Sequence, residues 1–166
     1  MDFAIMSLPR SGSHMLMSAL HSHPEITMTG ELRMKEKFPL PASEGLLRGC
    51  ICPSYNLPVP VGISASTPII FLLRDLQDIN RSNYHQHLAP APVEDITPPK
   101  SRLSYLYNRF VMMEEFMESR TAPKLVIWYD ELCGNNDARI LHRSAEICYF
   151  LGVHEQPLRP LTYKPT

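Results

Sequence analysis

The sequence predicts an α/β fold built on a parallel sheet, on three observations. Short apolar runs that read as strands alternate along the chain with stretches of helical periodicity. The run Thr67-Pro68-Ile69-Ile70-Phe71-Leu72-Leu73 is almost unbroken in apolar character, as expected of a strand covered on both faces, which is how parallel sheets are buried. Finally, Phe3 to Leu8 breaks at Pro9-Arg10-Ser11-Gly12-Ser13, and apolar residues resume at Met15, Leu16, Ala19 and Leu20, which reads as strand, tight loop, helix. With 166 residues, 44% of them hydrophobic, residues 1–166 are expected to form one domain with a substantial core and no second full domain.

The elements follow in order. The first loop turns several backbone N–H groups toward one point at the positive end of the new helix, a place that suits a phosphate or sulfate, with Arg10, Ser11 and Ser13 as further donors. The same residues also suit an ordinary turn in which Ser11 or Ser13 is the N-cap and Arg10 is solvated. Pro24 ends the first helix, and Ile26 to Met28 form a short strand that delivers Gly30-Glu31 to its C-terminal end, the edge at which parallel sheets bind ligands. Between Met34 and Thr67, five prolines and three glycines predict a long substrate-side excursion, with at most a short helix such as Glu44 to Gly49. The buried strand ending at Leu73 places Arg74 at its C-terminal end, and a helix follows from about Asp78 through Ser82 to His85. Arg74 is read either as a fork for phosphate oxygens or as an ion-pair partner of Asp75 or Asp78. Residues His87 to Pro99, rich in proline, read as a mobile connection. Ser101 is expected to cap a long amphipathic helix whose Met and aromatic residues pack the core. Lys124 to Tyr129 is the last strand, and a helix from about Asp137 ends at Gly152.

Composition narrows the function. A net charge of −1 gives no broad basic footprint for nucleic acid, so an anion would be held by placed residues. One glycine and no lysine in the first loop do not make a Walker A motif, which argues against an ATPase or GTPase. Four cysteines without a C-x-x-C pair read as reduced thiols, and the histidine pairs lack the spacing of a zinc site, so no metal is expected. A basic leader and a run of ~18 apolar residues are both missing, so neither secretion nor membrane insertion is expected and a cytoplasmic location is.

Taken together, the segments resemble the sulfotransferases that use 3′-phosphoadenosine 5′-phosphosulfate (PAPS). Pro9-Arg10-Ser11-Gly12-Ser13-His14 is similar to the family's 5′-phosphosulfate loop, P-[RK]-S-G-[ST]-[ST], and His23-Pro24 with Gly30-Glu31 resembles the H-P and G-E that follow in bacterial, carbohydrate and tyrosylprotein members. Ile70 to Asp75 with Ser82-Asn83-Tyr84 is similar to the 3′-phosphate motif. Trp128-Tyr129-Asp130-Glu131-Leu132 resembles the Y-E-D-L strand end, and Ile147 to Val153 the F-L-G-[LV] helix end. The matches run in family order from Phe3 to Val153, and that order carries the resemblance.

The resemblance implies a three-layer, P-loop NTPase-like sandwich and sulfuryl transfer from PAPS to a hydroxyl or amine of a small-molecule, carbohydrate or peptide acceptor, leaving 3′-phosphoadenosine 5′-phosphate (PAP). By the same resemblance Arg10, Ser11, Gly12, Ser13 and His14 hold the 5′-phosphosulfate, with Arg10 also catalytic, and Arg74 and Ser82 hold the 3′-phosphate. Glu31 is implied as the base for the acceptor proton, with His14, His21 and His23 as competitors. Two departures stand out: His14 replaces a hydroxyl, and the sequence reaches Thr166 near where members carry a basic segment over the donor, which implies a more open donor site. A non-catalytic module that binds PAP or a sulfated ligand is the alternative.

Overall fold

The computed structural model describes residues 2–31, 45–53, 63–87, 99–134 and 136–158, with backbone alone for 83–87 and 99–102. The strands are β1 (Phe3–Ser7), β2 (Ile26–Glu31), β3 (Leu47–Pro53), β4 (Ile69–Leu73) and β5 (Lys124–Trp128). The helices are α1 (Ser13–His21), α2 (Leu76–His87), α3 (Pro99–Ser119) and α4 (Asp137–Leu151). Among the described residues the strands form one sheet in the order β2-β3-β1-β4-β5, with every neighbouring pair parallel. The predicted α/β class and its parallel sheet are thus the observed architecture.

The sheet sits between two helical layers because alternate residues of its central strands point to opposite faces. Phe3, Ile5, Ile51, Ile70 and Leu72 meet Leu16 and Leu20 of α1 and Ile147 and Cys148 of α4 on one face. Ala4, Met6, Cys50, Cys52, Ile69 and Phe71 meet Ile79 of α2 and Leu106 and Met113 of α3 on the other. Strands β1 and β4 are buried along their whole length, as the continuous apolar run of β4 requires.

Two elements differ from the sequence expectation. Strand β3 lies inside the stretch read as an excursion, where a short helix was the most regular structure foreseen. Gly49, read there as loop punctuation, pairs with Phe3 in the strand, and a Cβ on it would stand 2.2 Å from Phe3 Cζ. It marks a close approach inside a strand. The long helix begins at Pro99, two residues before the expected cap; a proline in the first helical turn has no N–H to waste. The expected mobile connection at 88–98, the remaining excursion at 32–44 and 54–62, and the C-terminal residues 159–166 lie outside the described residues. α4 meets its predicted ends: Asn136 Oδ1 accepts the Arg139 N–H at 3.1 Å, and Gly152 adopts φ +69° so that Val153 N–H reaches Cys148 O at 3.0 Å.

The topology positions a site. From β1 the chain crosses through α1 to β2 at one edge, whereas from β4 it crosses through α2 and α3 to β5 at the other. Adjacent strands whose crossovers leave in opposite directions open a crevice at their C-terminal ends. The 8–12 loop and Arg74 stand there.

Candidate functional site

The loop after β1 is tightly wound. Ser11 N–H returns to Leu8 O at 3.3 Å, Arg10 takes φ +64° and Gly12 φ +91°. A left-handed non-glycine residue such as Arg10 is a local strain that its surroundings must hold. Gly12 is the N-cap of α1 and no side chain caps that helix, so the serine-capped turn is not what the chain adopts. The first-turn amides of α1 therefore face the loop without a capping oxygen. Ser11 is fully buried (0% exposed), Ser13 is buried, and Ser11 Oγ has no hydrogen-bond partner among the described residues.

Arg74 holds this loop from β4. Its Nη1 donates to Arg10 O at 2.9 Å and its guanidinium lies 4.2 Å from the centre of the Tyr129 ring. Its buried Nε has no partner among the described residues. The two carboxylates that competed for Arg74 are engaged elsewhere. Asp75 caps α2, accepting from Gln77 N–H at 2.8 Å and Asp78 N–H at 3.1 Å, and Asp78 pairs with Arg81 at 3.4 Å. Ser82 comes to the loop as well, its Oγ accepting from Arg10 Nε at 3.4 Å across 72 positions of sequence. Arg10, Ser82 and Arg74 thus converge, although Arg74 and Ser82 meet through Arg10.

Tyr129, given no role from sequence, is the floor of the loop. Its ring packs so closely on Gly12 that a Cβ there would come within 2.6 Å of it. Burial, then a hydrogen bond with Cys133, push its hydroxyl up to about 12, against the pull of Arg74. The signal for it was an aromatic residue directly after a strand end on the crevice side. Two residues on, Glu131 is a structural carboxylate: it accepts from Trp128 N–H at 2.9 Å and pairs with Arg143 at 2.6 Å.

Glu31 ends β2, and its Oε2 lies 3.5 Å from Nε2 of His14 in the first turn of α1. The competing histidines are elsewhere. The nine residues of α1, rising about 1.5 Å each, carry the chain back across the sheet, so His21 and His23 stand at its opposite edge. There His21 Nδ1 accepts from Met28 N–H at 3.2 Å. His23 is buried; its Nδ1 accepts from Glu25 N–H at 3.1 Å, which leaves Nε2–H to donate to His154 O at 2.9 Å. That pattern sets a neutral tautomer in a structural role.

Chemically, the loop is bordered by two donors that lack an acceptor among the described residues, Ser11 Oγ and Arg74 Nε. Buried polar atoms are nearly always paired, and leaving one unpaired costs about 1–3 kcal/mol. Here an orphan hydroxyl and an orphan guanidinium nitrogen border one loop at a helix start, and neither Arg10 nor Arg74 has a carboxylate within 4.0 Å among the described residues. A phosphate or sulfate group, all acceptor and negatively charged, fits this set. Among the described residues no His, Cys, Asp or Glu cluster gathers to hold a metal ion, and no helix is long and apolar enough to cross a membrane.

No family model and no curated sequence matches the chain. Among solved structures, the fold is similar to that of mouse sulfotransferase SULT7A1 complexed with PAP, with a TM-score of 0.65 and 18% identity over 93% of this chain. The match covers 59% of that protein's chain. At this identity the likeness establishes a common fold.

Proposed function

We propose that the chain transfers a sulfuryl group from PAPS to a hydroxyl, or amine, of a small-molecule, carbohydrate or peptide acceptor. The observation that supports this reading is the pair of unfilled donors, Ser11 Oγ and Arg74 Nε, beside the Arg10 loop, in a fold similar to that of a sulfotransferase complexed with PAP. When bound, PAPS supplies an electrophilic sulfur on a phosphate leaving group. The loop amides, Arg10, Ser11 and Ser13 hold the charge that develops on that leaving phosphate, while Gly12 lets the backbone approach closely. Arg74 and Ser82 serve the 3′-phosphate, and His14 borders the loop where relatives place a hydroxyl. Glu31 takes the proton from the acceptor as its oxygen attacks.

The test is transfer of radiolabelled sulfate from PAPS into pools of phenols, glycans and tyrosine peptides. The wild-type protein labels one pool. Glu31→Gln keeps the side chain's shape, so PAP affinity survives while turnover falls roughly 10²–10⁴-fold; His14→Ala does less. A larger loss for His14→Ala moves the base to the imidazole. Tight PAP binding with no labelled pool overturns transfer and leaves a binding module.

A further inference from the structure

The pairing of β2 with β3 contains an irregularity at the residue pair that matters most. Ile26, Thr27 and Met28 pair in step with Leu47, Arg48 and Gly49, but Glu31 then pairs with Ile51: three steps along β2 match two along β3. One extra residue has been inserted, and Gly30 within it takes φ +104°. Thr29 Oγ1 secures the turn by donating to Gly49 O at 3.1 Å.

The consequence follows from the two-residue period of a strand, since paired residues in parallel strands share a face. Met28 packs on the face covered by α1 and α4, as do Phe3 and Ile51. In unbroken register Glu31 would pair with Cys52, whose side chain lies in the core beneath α2 and α3. The inserted residue moves Glu31 into phase with Ile51, onto the face of α1. That is the face on which His14 starts its helix, and it is why an exposed imidazole (69%) and a partly covered carboxylate (28%) come within 3.5 Å.

We propose that Gly30 is a positioning residue: its bulge turns Glu31 from the α2–α3 face to the α1 face and sets the His14–Glu31 pair at the mouth of the anion loop. The pair, as one proton-handling unit, deepens the reading above and rests on it; the geometry of the pair stands without it. With the Glu31 carboxylate 3.5 Å from Nε2, a proton on that nitrogen is electrostatically favoured over one on Nδ1.

The experiment compares Gly30→Ala with Gly134→Ala. Both glycines have positive φ, +104° and +107°, and among the described residues neither would place a Cβ within 4 Å of an atom beyond its chain neighbours, so both substitutions carry backbone strain without a clash there. Only Gly30 adjoins Glu31. The first readout is the ¹⁵N chemical shifts of the His14 ring, which report tautomer. The expected result is that Gly30→Ala and Glu31→Gln move them alike, toward a mixed tautomer, while Gly134→Ala leaves them at wild-type values. The second is turnover, expected to fall in Gly30→Ala by a factor approaching that of Glu31→Gln with PAP affinity kept. Gly30→Asn, which tolerates positive φ better, should recover part of both.

Unchanged His14 signals in Gly30→Ala overturn the proposal, as do equal changes in Gly134→Ala. If Gly30→Ala fails to fold, Gly30→Asn decides instead: ring signals displaced part of the way from wild type toward Glu31→Gln support the proposal, and wild-type signals overturn it. If the wild-type protein shows no transfer, the ring signals still decide whether Gly30 aims Glu31, so the two readings fail separately.

Discussion

Arg74 does two things at once. It ties down the strained Arg10 carbonyl through Nη1 and stacks on Tyr129, while its buried Nε remains unfilled. If that nitrogen serves the 3′-phosphate, Arg74→Ala removes a charge-assisted bond of about 1.5–3 kcal/mol, roughly 10–100-fold in PAP affinity. Adenosine 5′-phosphate, which lacks the 3′ group, should lose much less in the same calorimetric titration. Equal losses would reduce Arg74 to the holder of Arg10. Arg74→Lys should not rescue, because an ammonium has neither the planar fork nor the stacking face. His23 gives the opposite pattern. Its two ring bonds join Glu25 N–H to His154 O at the far edge of the sheet. His23→Ala should therefore lower stability in chemical denaturation by about 1–3 kcal/mol and leave PAP affinity unchanged. Residue types and spacing made the tight loop after β1 legible, but sequence alone could not separate His14 from His21 and His23. That separation depends on which end of α1 each occupies.

The loop and the helix behind it work as one element. Gly12 serves twice, taking φ +91° and making room for the Tyr129 ring. Gly12→Ala should cost about 1–3 kcal/mol in stability, since a new methyl has to displace a ring that Arg74 also holds, and PAP binding should weaken with it. From the middle of α4, Arg143 joins Glu131, which closes the turn after β5, to Glu146 within the helix. Burial alone would raise the Glu131 carboxyl, but Arg143, the Trp128 N–H and the charge of Arg139 together hold it below the ordinary carboxylate range. A folded value below the unfolded one means that this contribution is complete above the unfolded carboxylate range and is lost as pH falls through the lowered folded value. Glu131→Gln should therefore lower the melting temperature at pH 7, and the gap from wild type should close as pH drops past that point. Elements with a clean period, β1, β4, α1 and α4, were readable in sequence. Strand β3 was not, because Gly49 and Pro53 look like breakers until Phe3 is seen lying against Gly49.

At the scale of the molecule, the order β2-β3-β1-β4-β5 puts the reversal of crossovers between β1 and β4, and so gathers residues from positions 10, 74, 82 and 129 around one crevice, with Glu31 at the end of the edge strand beside His14. The alternation of runs announced the α/β class; the strand order, which depends on the unrecognised β3, came only from the structure. If the chain uses PAPS as proposed, this arrangement should discriminate between nucleotides. A Walker loop gives ATP a lysine for its β- and γ-phosphates, whereas here two arginines border the loop and Ser82 meets Arg10 from α2. PAP, with phosphates at both the 5′ and 3′ positions, can engage the loop and the Arg74–Ser82 side together; ATP puts all of its phosphates on one. A ligand that binds only the folded state stabilises it by RT ln(1 + [L]/Kd), about 2.7 kcal/mol at a hundredfold excess over Kd. For a chain of this length each kcal/mol moves the melting temperature by about 2–4 °C. PAP at saturation should therefore raise it by roughly 5–10 °C in a thermal melt, and ATP at the same concentration much less. If Arg74 and Ser82 take the 3′ group, as proposed, the difference should shrink in Arg74→Ala. Equal shifts for the two nucleotides in the wild-type protein would remove PAPS as the donor and return the site to a general phosphate loop.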